Sequence, residues 1–363
     1  MAKIRILNEA DLPGVVALFE RVYPAHRWRS RAECERYFGE MLFANPWREL
    51  ELPSWVAEAA GRICGVYAVQ PRRMRLRGRA LRVAVGCQYM VDPAQRRSLI
   101  ALELAKACIS GPQDLTLADG ASDASRRMWQ TIGGAVPLLY GLHWTRPLRP
   151  ARLLLSRLAP RAAARPLGAL ADALAARLRP NRFLREATEL VEEPLDAQTM
   201  LTHLPEALSG YALQPEYDAD SLAWLLEQAA RKTSHGSLRA RLVRDRARRL
   251  VGWYLHYLRK SATSEVLQIA SLNGSFGLVL KRLLAEAWRD GALAVHGRLE
   301  PRFIRELSER HCWMRTDDTW TLVHSRDPEV TQSIHRGDAF LSRLEGEWWQ
   351  RFTGARDDGG AAA

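Results

Sequence analysis

The chain has 363 residues, enough for two domains of ordinary size that each bury a core. Its 53 Lys and Arg outnumber its 41 Asp and Glu, a formal charge of +12, which suits a polyanionic partner such as an anionic membrane, an acidic protein or a phosphate-bearing ligand. No stretch reaches the roughly 20 uninterrupted apolar residues of a membrane-spanning helix, and MAKIRILNEADL lacks the apolar run of a signal peptide, so the expected location is cytoplasmic.

Ile4 to Leu7 reads as a short strand, followed by Asp11 placed to cap a helix with Pro13 in its first turn and Val15, Val16, Leu18 and Phe19 on its apolar face. Trp55 to Val69 reads as two strands around a turn at Ala60-Gly61-Arg62. The β-branched and aromatic run from Val83 to Val91 predicts a buried strand that Asp92-Pro93 breaks, with a helix from about Gln95 to Ser110. The first amides of such a helix have no internal partner and sit at the positive end of its dipole, so a diphosphate can dock there beside Arg96 and Arg97. Leu115 to Asp119 predicts a further strand, and Ser125 to Ile132 a short helix ended by Gly133.

From Arg146 to Arg185 the chain is rich in Arg, Pro and Ala. Leu153, Leu154, Leu155 and Leu158 form one apolar stripe and Leu167, Leu170, Leu174 and Leu178 another, which either pack between domains or rest on an anionic membrane. The earlier pattern then returns. Arg241 to Leu255 repeats the two strands with a turn, Val266 to Leu272 the next strand, and Phe276 to Arg289 the helix closed by Asp290-Gly291. Its loop, Asn273 to Gly277, has glycines but no Arg, and Lys281 and Arg282 fit a solvated helix face. The division is therefore 1–148, a connector 149–185, a second copy 186–353, and a small polar tail 354–363 expected to be disordered. Asp338 to Trp349 is too apolar for a tail and is expected to pack on the second copy, the two copies forming one rigid unit with Leu170 and Leu174 in the seam. Cys34, Cys64, Cys87, Cys108 and Cys312 show neither C-x-x-C pairs nor metal-ligand spacing with His, so no disulfide and no metal is expected. No helix-turn-helix, zinc-finger or aromatic RNA-binding pattern accompanies the arginines, which argues against nucleic acid.

The order of elements resembles the GCN5-related N-acetyltransferase superfamily, in which a strand ending near Val-x-Pro runs into an (Arg/Gln)-x-x-Gly-x-(Gly/Ala) loop. Arg96, Leu99 and Ala101 occupy that spacing, with Leu99 where the family has its first glycine. Trp129 stands where the family often has the Tyr that protonates the departing thiolate, and Gly134 where it has a Phe. The resemblance implies an α/β (α+β) fold of two tandem acyl-CoA N-acyltransferase-like domains, the second degenerate, each a mixed, mostly antiparallel sheet flanked by helices. It implies acetyl-CoA or another acyl-CoA as donor, with Tyr89, Met90 and Val91 along the pantetheine arm and Arg96, Arg97, Ser98, Leu99, Ile100 and Ala101 at the pyrophosphate. The acyl group would pass to a primary amine of a small molecule or peptide. Asp119 and Tyr89 are the candidates for moving the amine's proton; alternatively Asp119 caps a turn and Tyr89 is a core aromatic. Two other readings stay open: a catalytically inactive protein that binds a ligand or partner, and an acyltransferase whose donor is an acyl carrier protein or aminoacyl-tRNA.

Overall fold

A computed structural model describes residues 2–24, 30–158, 172, 189–317 and 319–352. The first half runs β1 (Lys3–Ile6), α1 (Leu12–Val22), α2 (Arg31–Phe43), β2 (Trp55–Ala59), β3 (Arg62–Leu76), β4 (Arg79–Val91), α3 (Ile100–Ile109), β5 (Leu115–Ala121), α4 (Asp123–Thr131), β6 (Leu142–Pro147) and α5 (Pro150–Leu158). The rest runs β7 (Val191–Pro194), α6 (Ala197–Leu208), β8 (Leu213–Pro215), α7 (Ala219–Arg231), β9 (Ser237–Arg244), β10 (Leu250–Leu258), β11 (Thr263–Ser271), α8 (Phe276–Arg289), β12 (Ala294–Arg298), α9 (Ile304–Glu309), β13 (Trp313–Thr316), β14 (Trp320–His324) and α10 (Pro328–His335).

These strands make two seven-stranded sheets, mostly antiparallel and flanked by helices. The first has the order β1-β2-β3-β4-β5-β14, with β8 beside β3, and the second β13-β6-β12-β11-β10-β9-β7. Each contains one parallel pair, β4 with β5 and β11 with β12, joined through α3 and α8 respectively. One glycine in each copy shows why the helix closes so tightly on its sheet. A Cβ on Gly65 would lie 2.8 Å from Leu104 and 2.9 Å from Ile100 of α3; a Cβ on Gly252, at φ +152°, would lie 2.3 Å from the Ala270 carbonyl and 2.8 Å from Val279 of α8. Bare backbone is required at both. The helices then bury Ile100, Leu104 and Cys108 of α3 and Val279, Leu280, Leu283 and Leu284 of α8 at helical spacing, each fully buried aliphatic side chain contributing roughly 1.5–3 kcal/mol.

The sheets do not follow a cut after residue 148. β6 lies in the second sheet, antiparallel to β12 and β13, while β14 returns to the first sheet beside β5. The halves thus exchange their last strands, each covering the edge that its partner's parallel pair leaves open. Nor does the segment after α10 pack on the second half alone. Phe340, Leu344, Trp348 and Trp349 share one buried cluster with Met41, Trp47, Met200 and Trp253, and Gln350 Nε2 donates to Gln70 Oε1 at 2.6 Å.

Asp11 differs locally from its expected role. Its carboxylate makes no cap bond to α1 but accepts the Asn8 N–H at 2.9 Å and pairs with Arg5 at 2.7 Å. In α5, Leu154 is mostly exposed. The stripe Leu167, Leu170, Leu174 and Leu178 and the tail 354–363 lie outside the described residues. All five cysteines are buried thiols, and no described helix is long and apolar enough to cross a membrane.

Candidate active site

β4 and β5 pair only where Val83–Val85 meets Leu115–Leu117; beyond that they diverge. The cause is a bulge in β4, where Gln88 and Tyr89 together oppose Tyr67 of β3 and Gln88 takes φ +45°. The wedge opens into a cavity of about 290 Å³ whose lining includes Tyr67, Tyr89, Met128, Trp129, Glu347 and Phe352. Between the diverging strands backbone N–H and C=O groups lack their ladder partners, so an extended polar chain can pair there. A larger crevice of about 500 Å³ lies away from this wedge, at the C-terminal end of α3.

At the end of β4, Asp92 accepts the Ala94 N–H at 3.0 Å and pairs with Arg21 at 2.7 Å. Burial works against its ionisation, but these partners together hold its carboxyl below the usual range. The following helix starts at Ile100 rather than near Gln95. Pro93–Gln95 form a 3-10 turn, and the Ser98 hydroxyl donates to the Gln95 carbonyl at 2.7 Å and accepts the Ile100 N–H at 3.3 Å, local bonds that compete with helix. A surface loop is left, in which Arg96, Arg97, Ser98 and Leu99 are exposed and Leu99 is 66 % so. Met90 and Ile100 are buried, Val91 and Ala101 half-buried.

The structure separates the two residues proposed for proton transfer. Tyr89 lines the wedge, but its hydroxyl donates to the Ala101 carbonyl at 2.6 Å and its ring lies 4.8 Å from that of Tyr67. Burial raises its pKa. Asp119 is 1 % exposed and wholly engaged: Oδ2 pairs with Arg298, and Oδ1 accepts the N–H groups of Glu347 and Trp348 at 2.6 and 2.7 Å. These bonds make it an anchor for the turn at Glu347, and it does not line the cavity in the wedge. Trp129 is buried and donates its indole N–H to the Val323 carbonyl at 3.0 Å. A Cβ on Gly134 would lie 2.0 Å from that indole, so this glycine gives the larger ring its space.

What Asp119 anchors is the group the sequence reading missed. Its two backbone bonds fix the turn that presents Glu347 to the wedge, where the Gly120 N–H donates to Oε1 at 3.2 Å. Burial first, then the Asp119 charge, push the Glu347 carboxyl up to about 8, against the opposing pull of Gly120 and Arg351. The segment is held further by its Gln350 carbonyl, which accepts from Gln88 Nε2 at 3.1 Å and Lys232 Nζ at 3.0 Å. A carboxylate set between Leu344 and Trp348-Trp349 was the one sequence signal available, an acid inside an apolar run that must fold inward.

The second sheet has the same wedge in a different state. β11 and β12 pair only over Thr263–Glu265 and Ala294–His296, and a bulge falls at Leu267. There the Leu267 carbonyl accepts the N–H of Arg343 at 3.0 Å, and Arg298 Nη1 donates to the Leu341 carbonyl at 3.1 Å. The chain's own residues 341–343 lie in the gap, leaving about 30 Å³. Asn273 and Gly274, at φ +51° and +71°, form a tight turn before α8.

A sheet whose fourth and fifth strands splay at a bulge, with a basic loop leading into the crossing helix, defines an acyltransferase-type fold. Residues 3–110 match the family model of the acetyltransferase (GNAT) domain. A GCN5-related N-acetyltransferase from Anabaena variabilis is similar over 89 % of this chain and 72 % of its own, at 13 % identity and TM-score 0.56. Eis1 from Mycobacterium abscessus gives 92 % and 76 % coverage at 14 % identity and TM-score 0.53. Saccharomyces cerevisiae N-myristoyltransferase, solved with bound myristoyl-CoA, gives 94 % and 84 % at 9 % identity and TM-score 0.51. At these identities the likeness is one of fold. No curated protein sequence matches the chain.

Proposed function

We propose that this protein is an N-acyltransferase that takes an acyl group, most simply acetyl, from CoA in the first wedge and delivers it to a primary amine. The observation that carries the reading is the open wedge with a carboxylate of raised pKa at its wall, beside a second wedge filled by the chain itself. The residues fit an acyl-CoA. The unpaired backbone of β4 and β5 suits a pantetheine arm, and the exposed loop Arg96–Leu99 before α3 suits a pyrophosphate, Arg96 and Arg97 adding charge.

When bound, the donor supplies a thioester carbonyl open to an amine. The backbone from Gln88 to Val91 orients it, and the aromatic wall of Tyr67, Tyr89 and Trp129 excludes water. Glu347 accepts the proton of the attacking amine as the nitrogen–carbon bond forms and the carbon–sulfur bond breaks, the sulfur leaving with the electron pair and taking a proton from water. A carboxyl tuned to about 8 is matched to this task near neutral pH. Asp119 and Arg298 act as positioning residues for Glu347.

A non-catalytic binding protein is the second reading, favoured by the Trp129 indole committed to a backbone carbonyl where a proton donor would stand. Formation of the acylated amine, followed by mass spectrometry with a panel of amines and with acetyl-CoA, longer acyl-CoAs, a loaded acyl carrier protein and aminoacyl-tRNA as donors, separates the readings. Amide formation, accompanied by free thiol from a thioester donor or free tRNA from an aminoacyl-tRNA, supports the enzyme. Stabilisation by a donor, about 2.7 kcal/mol at a hundredfold excess over Kd, without turnover on any amine supports the binding protein.

A further inference from the structure

The strand exchange brings together three residues that are far apart in the chain. On β6, His143 stands opposite Arg298 of β12 and Thr145 opposite His296. On the other side of β6, Arg315 of β13 stands opposite His143, and the chain leaves β13 through Asp317. Alternation along the strands puts His143 and Thr145 on one face, with His296 and Arg298. The two imidazoles stack with centroids 5.3 Å apart and planes at 14°. His296 is held at both nitrogens, Nδ1 lying 2.9 Å from Thr145 Oγ1 and Nε2 3.2 Å from Asp317 Oδ2.

His143 is the anomaly. It is 2 % exposed, yet among the described residues neither ring nitrogen has a hydrogen-bond partner, and a buried polar group left so calls for an explanation. One ligand atom from each of His143, His296 and Asp317 lies within 4.8 Å of the others. Around a zinc ion with bonds of about 2.0–2.1 Å, neighbouring ligand atoms sit roughly 3.3 Å apart, so binding requires the ligand atoms to draw together and the His143 ring to turn from its stack on His296 until both imidazole planes meet the ion.

We infer that His143, His296 and Asp317 form a binding site for a divalent transition metal, Zn²⁺ in the first instance, that staples the exchanged strand β6 to the second sheet. Two neutral imidazoles and one carboxylate are a set that zinc accepts, water taking the fourth position. Thr145 acts as the outer partner: the His296 Nδ1–H donates to its hydroxyl, which turns the Nε2 lone pair toward the metal. The guanidiniums of Arg343 and Arg298 stand near the His143 ring. Those two guanidiniums oppose a cation, but each is already neutralised, Arg343 by Glu265 at 2.8 Å and Arg298 by Asp119, and Asp317 adds a further negative charge.

The staple lies where the halves interlock. His143 comes from the first half, His296 from the second, and Asp317 from the link that carries the chain back to β14 and the first sheet. Spacing within the sequence gives no sign of it, since the ligands meet only through strand pairing.

The full-length chain, stripped with a chelator and titrated with Zn²⁺ alone by calorimetry, should bind one ion, and Co²⁺ in its place should give a visible d–d band. At a hundredfold excess over Kd, Zn²⁺ should raise Tm by roughly 3–4 °C. Asp317→Ala, at a partly exposed position, and His143→Gln should each weaken Zn²⁺ binding at least tenfold and abolish the Co²⁺ band. Should His143→Gln fail to fold, Asp317→Ala carries the test. The proposal is overturned if the parent chain takes up no stoichiometric Zn²⁺, or if Asp317→Ala binds it as tightly as the parent.

Discussion

The first wedge is open to about 290 Å³, whereas the second retains about 30 Å³ and has its bulge carbonyl on Leu267 bonded to the Arg343 amide. Both arise from the same parts: a short parallel pairing, a bulge that drives the strands apart, and a glycine that lets the crossing helix sit close. The difference lies in what meets the exposed backbone. In the second copy the chain supplies its own polar segment, so the gap is satisfied internally and serves stability. In the first, the backbone and a loop bearing Arg96 and Arg97 remain available, and residues 347–352 form only a wall. The same residues 338–352 thus close one wedge and shape the other.

The harshest way to break this comparison is to remove that shared segment. A chain ending before Asp338 loses the plug of the second wedge and four large side chains of the shared cluster, Phe340, Leu344, Trp348 and Trp349. It should fail to give a cooperative melt, and an intact Tm would show that the two wedges do not depend on it. Arg298→Ala is milder. It strands the buried Asp119 carboxylate, with an expected loss of about 3–5 kcal/mol and of the Glu347 position, to be read by denaturant unfolding.

Glu347→Gln probes the open wedge alone. Turnover should fall by roughly 10²–10⁴-fold while donor affinity stays within a few fold; unchanged turnover would remove Glu347 from the reaction. In the parent, activity should climb as pH rises toward about 8 and the carboxyl loses its proton, a limb that the variant should lack. Stability carries the opposite sign. The folded carboxyl holds its proton from its usual 4.5 up to about 8 while the unfolded one does not, so this group destabilises the fold progressively across that window. The Tm gain of Glu347→Gln over the parent should therefore be larger at pH 8 than at pH 5.

Much of this comparison was legible in the sequence and some was not. The strand, break and basic loop of residues 83–99 and the repeat at 241–289 declare themselves through periodicity, Pro and Gly, which act locally. The start of α3 at Ile100 was misjudged because the Ser98 hydroxyl bonds both Gln95 and Ile100, a local competition that no periodicity shows. Asp119 looked like a base because strand ends carry chemistry; only tertiary structure reveals that Arg298 and two amides consume it. Glu347, the exchange of β6 and β14, and the plug at Leu341–Arg343 depend on pairings between distant residues, which spacing along the chain does not encode.

The central claim is that the chain has one donor site and that it lies in the first wedge. Native mass spectrometry with acetyl-CoA, on the parent and on the double variant Arg96→Ala, Arg97→Ala, tests it most directly. The account predicts one acetyl-CoA per parent chain and at least tenfold weaker binding in a variant whose Tm is unchanged. Two molecules per chain, or undiminished binding by the variant, would contradict it.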